Sequence, residues 1–251
     1  MKQNTEVGGE KTALITGASG GIGLELVKLF AKDGYNLVLV ARSEDKLHRI
    51  AEQLRARRGI KVHVITKDLS QASSPQEVHN EVQAAGIRVD VLVNNAGFAS
   101  YGKFPEISLQ HELELLQTNI VTLTHLTKLF LPPMIENGSG RVLNLASTAA
   151  FQPGPLMAVY YASKAYVLSF SEAIANELKD TGVTVTALCP GPTRTGFQAR
   201  ASMEGSRLVQ GDIAGPKAVA LAGYRGIISG KTVVIPGTMN RLFATGVRFL
   251  P

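Results

Sequence analysis

The sequence predicts an α/β protein built on a doubly wound parallel sheet, and three observations carry that expectation. Short β-branched apolar runs alternate along the chain with longer stretches of helical periodicity, the pattern of repeated βαβ units. A glycine-rich turn, Thr16-Gly17-Ala18-Ser19-Gly20-Gly21-Ile22-Gly23, directly follows the first apolar run. Tyr160 and Lys164 stand one helical turn apart in a later helical stretch, and Ser147 lies thirteen residues before Tyr160. No Pro/Gly/Ser linker, repeat or low-complexity segment divides the 251 residues, so we expect one domain over 1–251. Within it, residues 1–10 read as a flexible tail and 238–251 as an atypical C-terminal segment.

The elements follow in order. Residues 13–15 form the first strand, and the helix after the glycine turn covers 21–33. A second strand at 37–40 leads to a polar-faced helix at 44–58, and a third at 62–65 to a helix at 75–85. The fourth strand spans 89–93. A long helical stretch covers 109–131 and should stop at Pro132-Pro133, because proline lacks the N–H a helix interior needs. Strands at 141–145, 183–189 and 232–235 complete seven, with the helix carrying Tyr160 and Lys164 at 157–179.

Composition narrows the function. At 45% hydrophobic and 18% charged residues the chain is globular. No apolar run approaches the roughly 18 residues of a membrane span. The start MKQNTEVGGEK lacks a signal-peptide core, and the one cysteine, Cys189, lies in an apolar run as a core residue would. We expect a cytoplasmic protein. The net charge of +6 is dispersed and not interleaved with aromatics, which argues against nucleic acid. Its one dense cluster, Arg55-Ala56-Arg57-Arg58, closes a helix, where cations complement the dipole and face water. The five histidines show no ligand spacing with Cys or acids, so no catalytic metal is expected.

The chemistry is concentrated in two places. Residues at i and i+4 share a helix face, so the phenol of Tyr160 and the ammonium of Lys164 can enter one site. A neighbouring cation favours the phenolate, and lowering a phenol pKa by about three units represents about 4 kcal/mol. In the turn, Thr16, Gly17, Ser19, Gly20, Gly21, Ile22 and Gly23 sit between a strand and a helix. Glycines there let the backbone approach a pyrophosphate, and the helix N-terminus presents unpaired N–H groups to it. After the second strand stands Arg42, preceded by Ala41, where an acid would meet a ribose 2′-hydroxyl. Arg accommodates a 2′-phosphate, with Ser19 able to add a hydrogen bond, so NADP(H) is expected over NAD(H). A tuned phenol beside a dinucleotide cleft points to hydride transfer at a carbonyl.

In these motifs, over residues 11 to 195, the chain resembles the short-chain dehydrogenase/reductase family. The likeness rests on TGASGGIG at 16–23, Asp68-Leu69, Asn94-Asn95-Ala96-Gly97, Asn119, Ser147, YYASK at 160–164, and Pro190-Gly191 followed by Thr195. Within the family it resembles the ketone, 3-oxoacyl and hydroxysteroid reductases. The resemblance implies a Rossmann-type sheet of order 3-2-1-4-5-6-7, a homodimer or homotetramer, and a catalytic tetrad of Asn119, Ser147, Tyr160 and Lys164. In it Tyr160 passes the proton, Ser147 holds the substrate oxygen, Lys164 binds the nicotinamide ribose and lowers the Tyr160 pKa, and Asn119 holds a relay water. It further implies Asp68 and Leu69 at the adenine and Asn95, Ala96 and Gly97 along the adenosine ribose. Pro190, Gly191, Thr193 and Thr195 would lie at the nicotinamide. Tyr161, whose i+4 partner is Ala165, reads as packing.

The implied activity is NADPH-dependent reduction of a carbonyl, a hydrophobic ketone or 3-oxoacyl group, to a secondary alcohol. An NAD-dependent alcohol dehydrogenase and a non-catalytic NADP(H)-sensing protein are the alternatives. Phe98, Phe151, Met157 and Phe197 are the candidate substrate contacts. The end of the chain departs from the family, since Val233-Val234-Ile235-Pro236-Gly237 runs into Thr238-Met239-Asn240-Arg241-Leu242-Phe243 in place of a D-G-G element. That segment could meet another subunit, cover the pocket, associate weakly with a membrane surface or pack on the domain.

Overall fold

The computed structural model describes residues 10–196 and 213–246. Seven strands form one sheet: β1 (Thr12–Thr16), β2 (Asn36–Ala41), β3 (Val62–Thr66), β4 (Val91–Asn94), β5 (Gly140–Leu145), β6 (Val183–Leu188) and β7 (Val233–Val234). Their order is β3-β2-β1-β4-β5-β6-β7, with every pair parallel, as expected. Both faces are covered because side chains alternate along a strand and both sets are apolar. Ala13, Ile15, Leu37 and Leu39 enter one buried cluster, whereas Leu14, Val38 and Val40 enter the other.

Helices α1 (Gly21–Lys32), α2 (Glu44–Arg58), α3 (Ser74–Ala84), α4 (Leu109–Leu116), α5 (Leu123–Glu136), α6 (Ala158–Glu177), α7 (Pro216–Ile228) and α8 (Thr238–Gly246) connect and flank the strands. Between α4 and α5 lies a π-helical turn, Gln117–Thr122. The strand order reverses between β2-β1 and β1-β4, which opens a crevice at the C-terminal ends of β1 and β4. No described helix is long and apolar enough to cross a membrane.

Three sequence expectations need correction. The long helix does not stop at Pro132-Pro133; α5 runs through both to Glu136. Phe130 before them and Met134 after them are each 1% exposed, so core packing holds the turn on either side. The main-chain and side-chain amides of Asn137 then both donate to the Pro133 carbonyl. Helix α7 was not anticipated, since Gly223 and Gly226 dilute its helical signal. Both glycines are required by packing, because a Cβ at either would overlap Leu188 or Val234. The last strand is shorter than 232–235, keeping only two residues in the ladder. Helix α2 ends as expected at Arg58, with Gly59 in the left-handed conformation and the Arg55 guanidinium donating to the Val62 carbonyl.

Candidate active site

The glycine turn is built to bring backbone close to an anion. Gly17 and Gly21 have φ of 66° and 56°, in the region that favours glycine. A Cβ on Gly23 would strike the Gly17 carbonyl and lie 2.5 Å from Asn95 Nδ2. The turn is tied to the end of β4. Thr16 Oγ1 donates to the Val93 carbonyl (3.2 Å) and accepts from the amides of Asn95 and Ala96 (both 2.9 Å). Asn95 Nδ2 donates to the carbonyls of Thr16 (2.8 Å) and Gly17 (3.3 Å). Thr195 reaches the turn from the far end of the sheet, its Cγ2 3.2 Å from where a Gly21 Cβ would sit.

A cavity of about 630 Å³ opens from this turn. Of the expected cofactor residues it is lined by Gly17, Ser19, Gly20, Gly21, Ile22, Arg42, Asp68, Leu69, Asn95, Ala96, Gly97 and Thr195. Lys46 and Lys67 also line it and were not anticipated. Lys46 lies in the first turn of α2, four residues after Arg42, a proximity visible in the sequence, but Lys67 comes alongside only through the β2-β3 pairing that bonds its amide to the Ala41 carbonyl. The Arg42 guanidinium is 3.8 Å from Asp68, both side chains about half exposed, a weak ion pair that a ligand anion can compete with. Asp68 also accepts from the Ser70 amide and hydroxyl.

The tetrad residues do not line this cavity themselves but begin directly behind Gly97. A Cβ on Gly97 would lie 2.9 Å from Asn119 Oδ1 and 3.6 Å from Lys164 Nζ, so this glycine is the joint between the two regions. Asn119 is buried in the π turn, where its Oδ1 accepts from the Phe98 amide (3.2 Å). Its Nδ2 donates to the Phe98 carbonyl (3.0 Å) and to Ser163 Oγ (3.1 Å). Both amide protons are therefore used within the protein, and the side chain acts as a clamp on the loop after β4. Ser163 was not singled out from sequence; its hydroxyl donates to the Tyr160 carbonyl (2.7 Å).

Ser147 caps a short 3₁₀ turn (Thr148–Phe151), accepting from the Ala149 amide at 3.1 Å, and is hydrogen-bonded to the Tyr160 side chain. Its Oγ also donates to the Pro190 carbonyl at 3.4 Å, which joins Pro190-Gly191 to the tetrad. Thr193 Oγ1 donates to the Gly191 carbonyl.

The electrostatics differ from the expectation that Lys164 lowers the Tyr160 pKa. Burial pushes Tyr160 up to about 12, with the Ser147 hydrogen bond opposing, and pushes Lys164 down to about 8. Lys164 Nζ donates to the Leu145 carbonyl (2.7 Å) and stands 5.8 Å from the Tyr160 ring centroid. Desolvation is the dominant cause at both groups, and at neutral pH the pair is a neutral phenol beside an ammonium. Cys189 is fully buried and its thiol is pushed up to about 12, which leaves it inert packing.

A sequence model of the family described as short chain dehydrogenase matches residues 11–205. The chain belongs to that family. A ketoacyl reductase, HetN, from Nostoc sp. is 35% identical over 226 residues, 90% of this chain and 78% of its own. A short-chain dehydrogenase from Sphingobium yanoikuyae, solved in complex with NADPH, superposes with a TM-score of 0.87 at 30% identity, covering 95% of this chain and 92% of that one. A short-chain dehydrogenase/reductase from Burkholderia phymatum, solved with NAD, gives 0.83 at 27% identity over 95% and 92%. This protein is an oxidoreductase of the family.

The candidate substrate contacts of this dehydrogenase fall out unequally. Phe98 lines the cavity, its ring against His111 with centroids 5.3 Å apart. Met157 is buried with Ala99, Leu115, Ala149 and Tyr160, next to the Tyr160 phenol. Phe151 packs on the cluster around Val167 and Leu168. Phe197 lies outside the described residues. Tyr161 packs edge-on to Tyr160, and a Cβ on Gly154 would overlap its ring.

Proposed function

We propose that this dehydrogenase uses NADPH to reduce a hydrophobic ketone or 3-oxoacyl group to a secondary alcohol. The observation that carries this reading is a buried Tyr160 hydrogen-bonded to Ser147, in a tetrad that Gly97 joins to a cavity whose glycine turn admits a pyrophosphate. When bound, the dinucleotide supplies the hydride. Ser147 and Tyr160 then converge on the carbonyl oxygen: Ser147 donates a hydrogen bond to the developing alkoxide, and Tyr160 gives up its proton. Lys164, charged below about pH 8, holds the ribose and restores electroneutrality as the phenol loses its proton. Phe98, which lines the cavity, favours an apolar substrate, and the ketoacyl reductase relative supports the same class.

The preference for NADPH rests on Arg42 and Lys46 in the cavity lining, with Lys67, paired to Glu77 at 2.8 Å, beside them. A charge-assisted hydrogen bond contributes about 1.5–3 kcal/mol. Arg42→Asp should therefore shift the NADPH-to-NADH ratio of kcat/KM towards NADH by roughly ten- to a hundredfold. An unchanged ratio would mean that the 2′-phosphate is read elsewhere.

The activity is tested by NADPH and NADH oxidation against a panel of hydrophobic ketones, 3-oxoacyl thioesters, quinones and small charged aldehydes. We expect turnover with the first two classes. NADPH binding without turnover would support a sensor, and a preference for charged aldehydes would overturn the apolar substrate. We also read the exposed Leu109, Leu113 and Val121, with Tyr166 on α6, as a face for a second copy. Light scattering should then give at least a dimer mass, and a one-chain mass at micromolar concentration would reject that.

A further inference from the structure

The loop between β4 and α4 is pinned at alternate residues. Phe98 is held through both its amide and its carbonyl by Asn119. The Gly102 amide donates to the Leu156 carbonyl (2.9 Å), and Leu156 has a left-handed φ of 65°, the one non-glycine with positive φ among the described residues. The middle pin is Ser100. Its hydroxyl, in a residue 2% exposed, meets the carboxylate of Glu112 with both oxygens near, at 3.1 and 3.0 Å.

Glu112 is the unusual member. It is 5% exposed, and among the described residues no Lys, Arg or His forms an ion pair with it. Among the described residues its side-chain partner is the Ser100 hydroxyl alone, and burying a carboxyl group on one hydroxyl costs more than burying an alkyl side chain. Packing alone would be served better by leucine, as at Leu115 one turn later, which is fully buried against Ala99, Met157 and Tyr160. A choice that breaks the local rule on the helix face nearest the catalytic phenol marks a requirement of the site. The neighbouring His111 supports the Phe98 ring, so consecutive residues of α4 touch two residues of one loop.

We propose that Glu112 is a positioning residue. Through Ser100 it fixes the wall that Phe98 and Tyr101 present beside Tyr160, and so sets how closely the apolar part of the carbonyl substrate is held. The proposal rests on the reading of the site as a reductase of hydrophobic carbonyls. Leucine at 112 removes the pin, whereas glutamine keeps the size and one acceptor for the Ser100 hydroxyl. In Glu112→Leu, KM for the best hydrophobic ketone should rise about tenfold, kcat should change less than threefold, and the NADPH Kd from fluorescence titration should stay within twofold. Glu112→Gln should restore KM to within threefold of wild type. Ser100→Ala should reproduce the leucine effect, and combining the two should add nothing further.

Amide hydrogen exchange gives a readout independent of substrate, since residues 98–102 should exchange at least tenfold faster in Glu112→Leu and Ser100→Ala but not in Glu112→Gln. If Glu112→Leu does not fold, Ser100→Ala decides alone. Parallel losses in KM, kcat and NADPH affinity, or no rescue by glutamine, would overturn the proposal in favour of a purely structural carboxyl. Unchanged KM and unchanged exchange would also overturn it. Should the wild-type enzyme turn over no ketone, the functional reading fails, and exchange at 98–102 still decides whether Glu112 holds the wall.

Discussion

Tyr160→Phe should lower kcat roughly a thousandfold or more, within the range that a positioned acid contributes, while NADPH affinity changes little. The phenyl ring retains the packing that Tyr160 makes with Ala99, Leu115, Ala149 and Met157, so the loss isolates the hydroxyl. Steady-state kinetics and cofactor titration on the same preparation would show it, and retained turnover would remove Tyr160 from the chemistry. The protonation states give the pH dependence its sign. Tyr160, pushed up to about 12, remains a donor throughout the working range, whereas Lys164, pushed down to about 8, loses its charge first. For the free enzyme, kcat/KM for NADPH in reduction should be flat below about pH 8 and fall above it as Lys164 deprotonates. A rate that climbed with pH through this range would mean that the phenolate is the active form, the behaviour of an alcohol oxidation.

Gly23→Ala should have the second large effect. The added methyl meets the Gly17 carbonyl and Asn95 Nδ2, the atoms that hold the turn to β4, and neither can swing aside as a long side chain could. Overpacking of this kind costs about 1–3 kcal/mol, which predicts about ten- to a hundredfold weaker NADPH binding as the turn is displaced. Gly20→Ala is the control: a Cβ there has nothing within 4 Å and the backbone is fully extended, so the thermal midpoint of the ligand-free protein should not move. Equal cofactor loss in both variants, with both midpoints unchanged, would show that the crowding at Gly23 is not what shapes the turn.

What could be read from the sequence was whatever local spacing encodes. The glycine turn announces itself because strand, glycines and helix are consecutive, and Tyr160 with Lys164 because one helical turn separates them. The βαβ pattern pointed to a parallel sheet, and its strand order followed from the family resemblance. Lys67 and Glu112 were illegible for the opposite reason. Lys67 becomes part of the cavity only when β2 and β3 pair, and a glutamate in the first turn of α4 looks like an ordinary favourable charge until the fold buries it. Propensity misled twice in the helices, at Pro132-Pro133 and at Gly223 and Gly226, where packing outweighs backbone preference. Charge beside Tyr160 is visible in a sequence, whereas the burial that raises its pKa in the ligand-free protein is not.

The π turn at Gln117–Thr122 has a consequence for how this protein can vary. Such a turn holds an extra residue within an otherwise α-helical path, and each residue rotates a helix by about 100°. Upstream of it, α4 presents Glu112 and Leu115 to the site; downstream, α5 presents Leu126 and Phe130 to the core. The two faces are therefore phased independently, by chain length and not by side-chain identity. Substitutions along α4 can retune the wall one contact at a time, but a single insertion or deletion between Ser108 and Leu123 would turn the whole wall away at once. In a diverging lineage this stretch should accumulate replacements away from Glu112 and Asn119 and refuse changes of length.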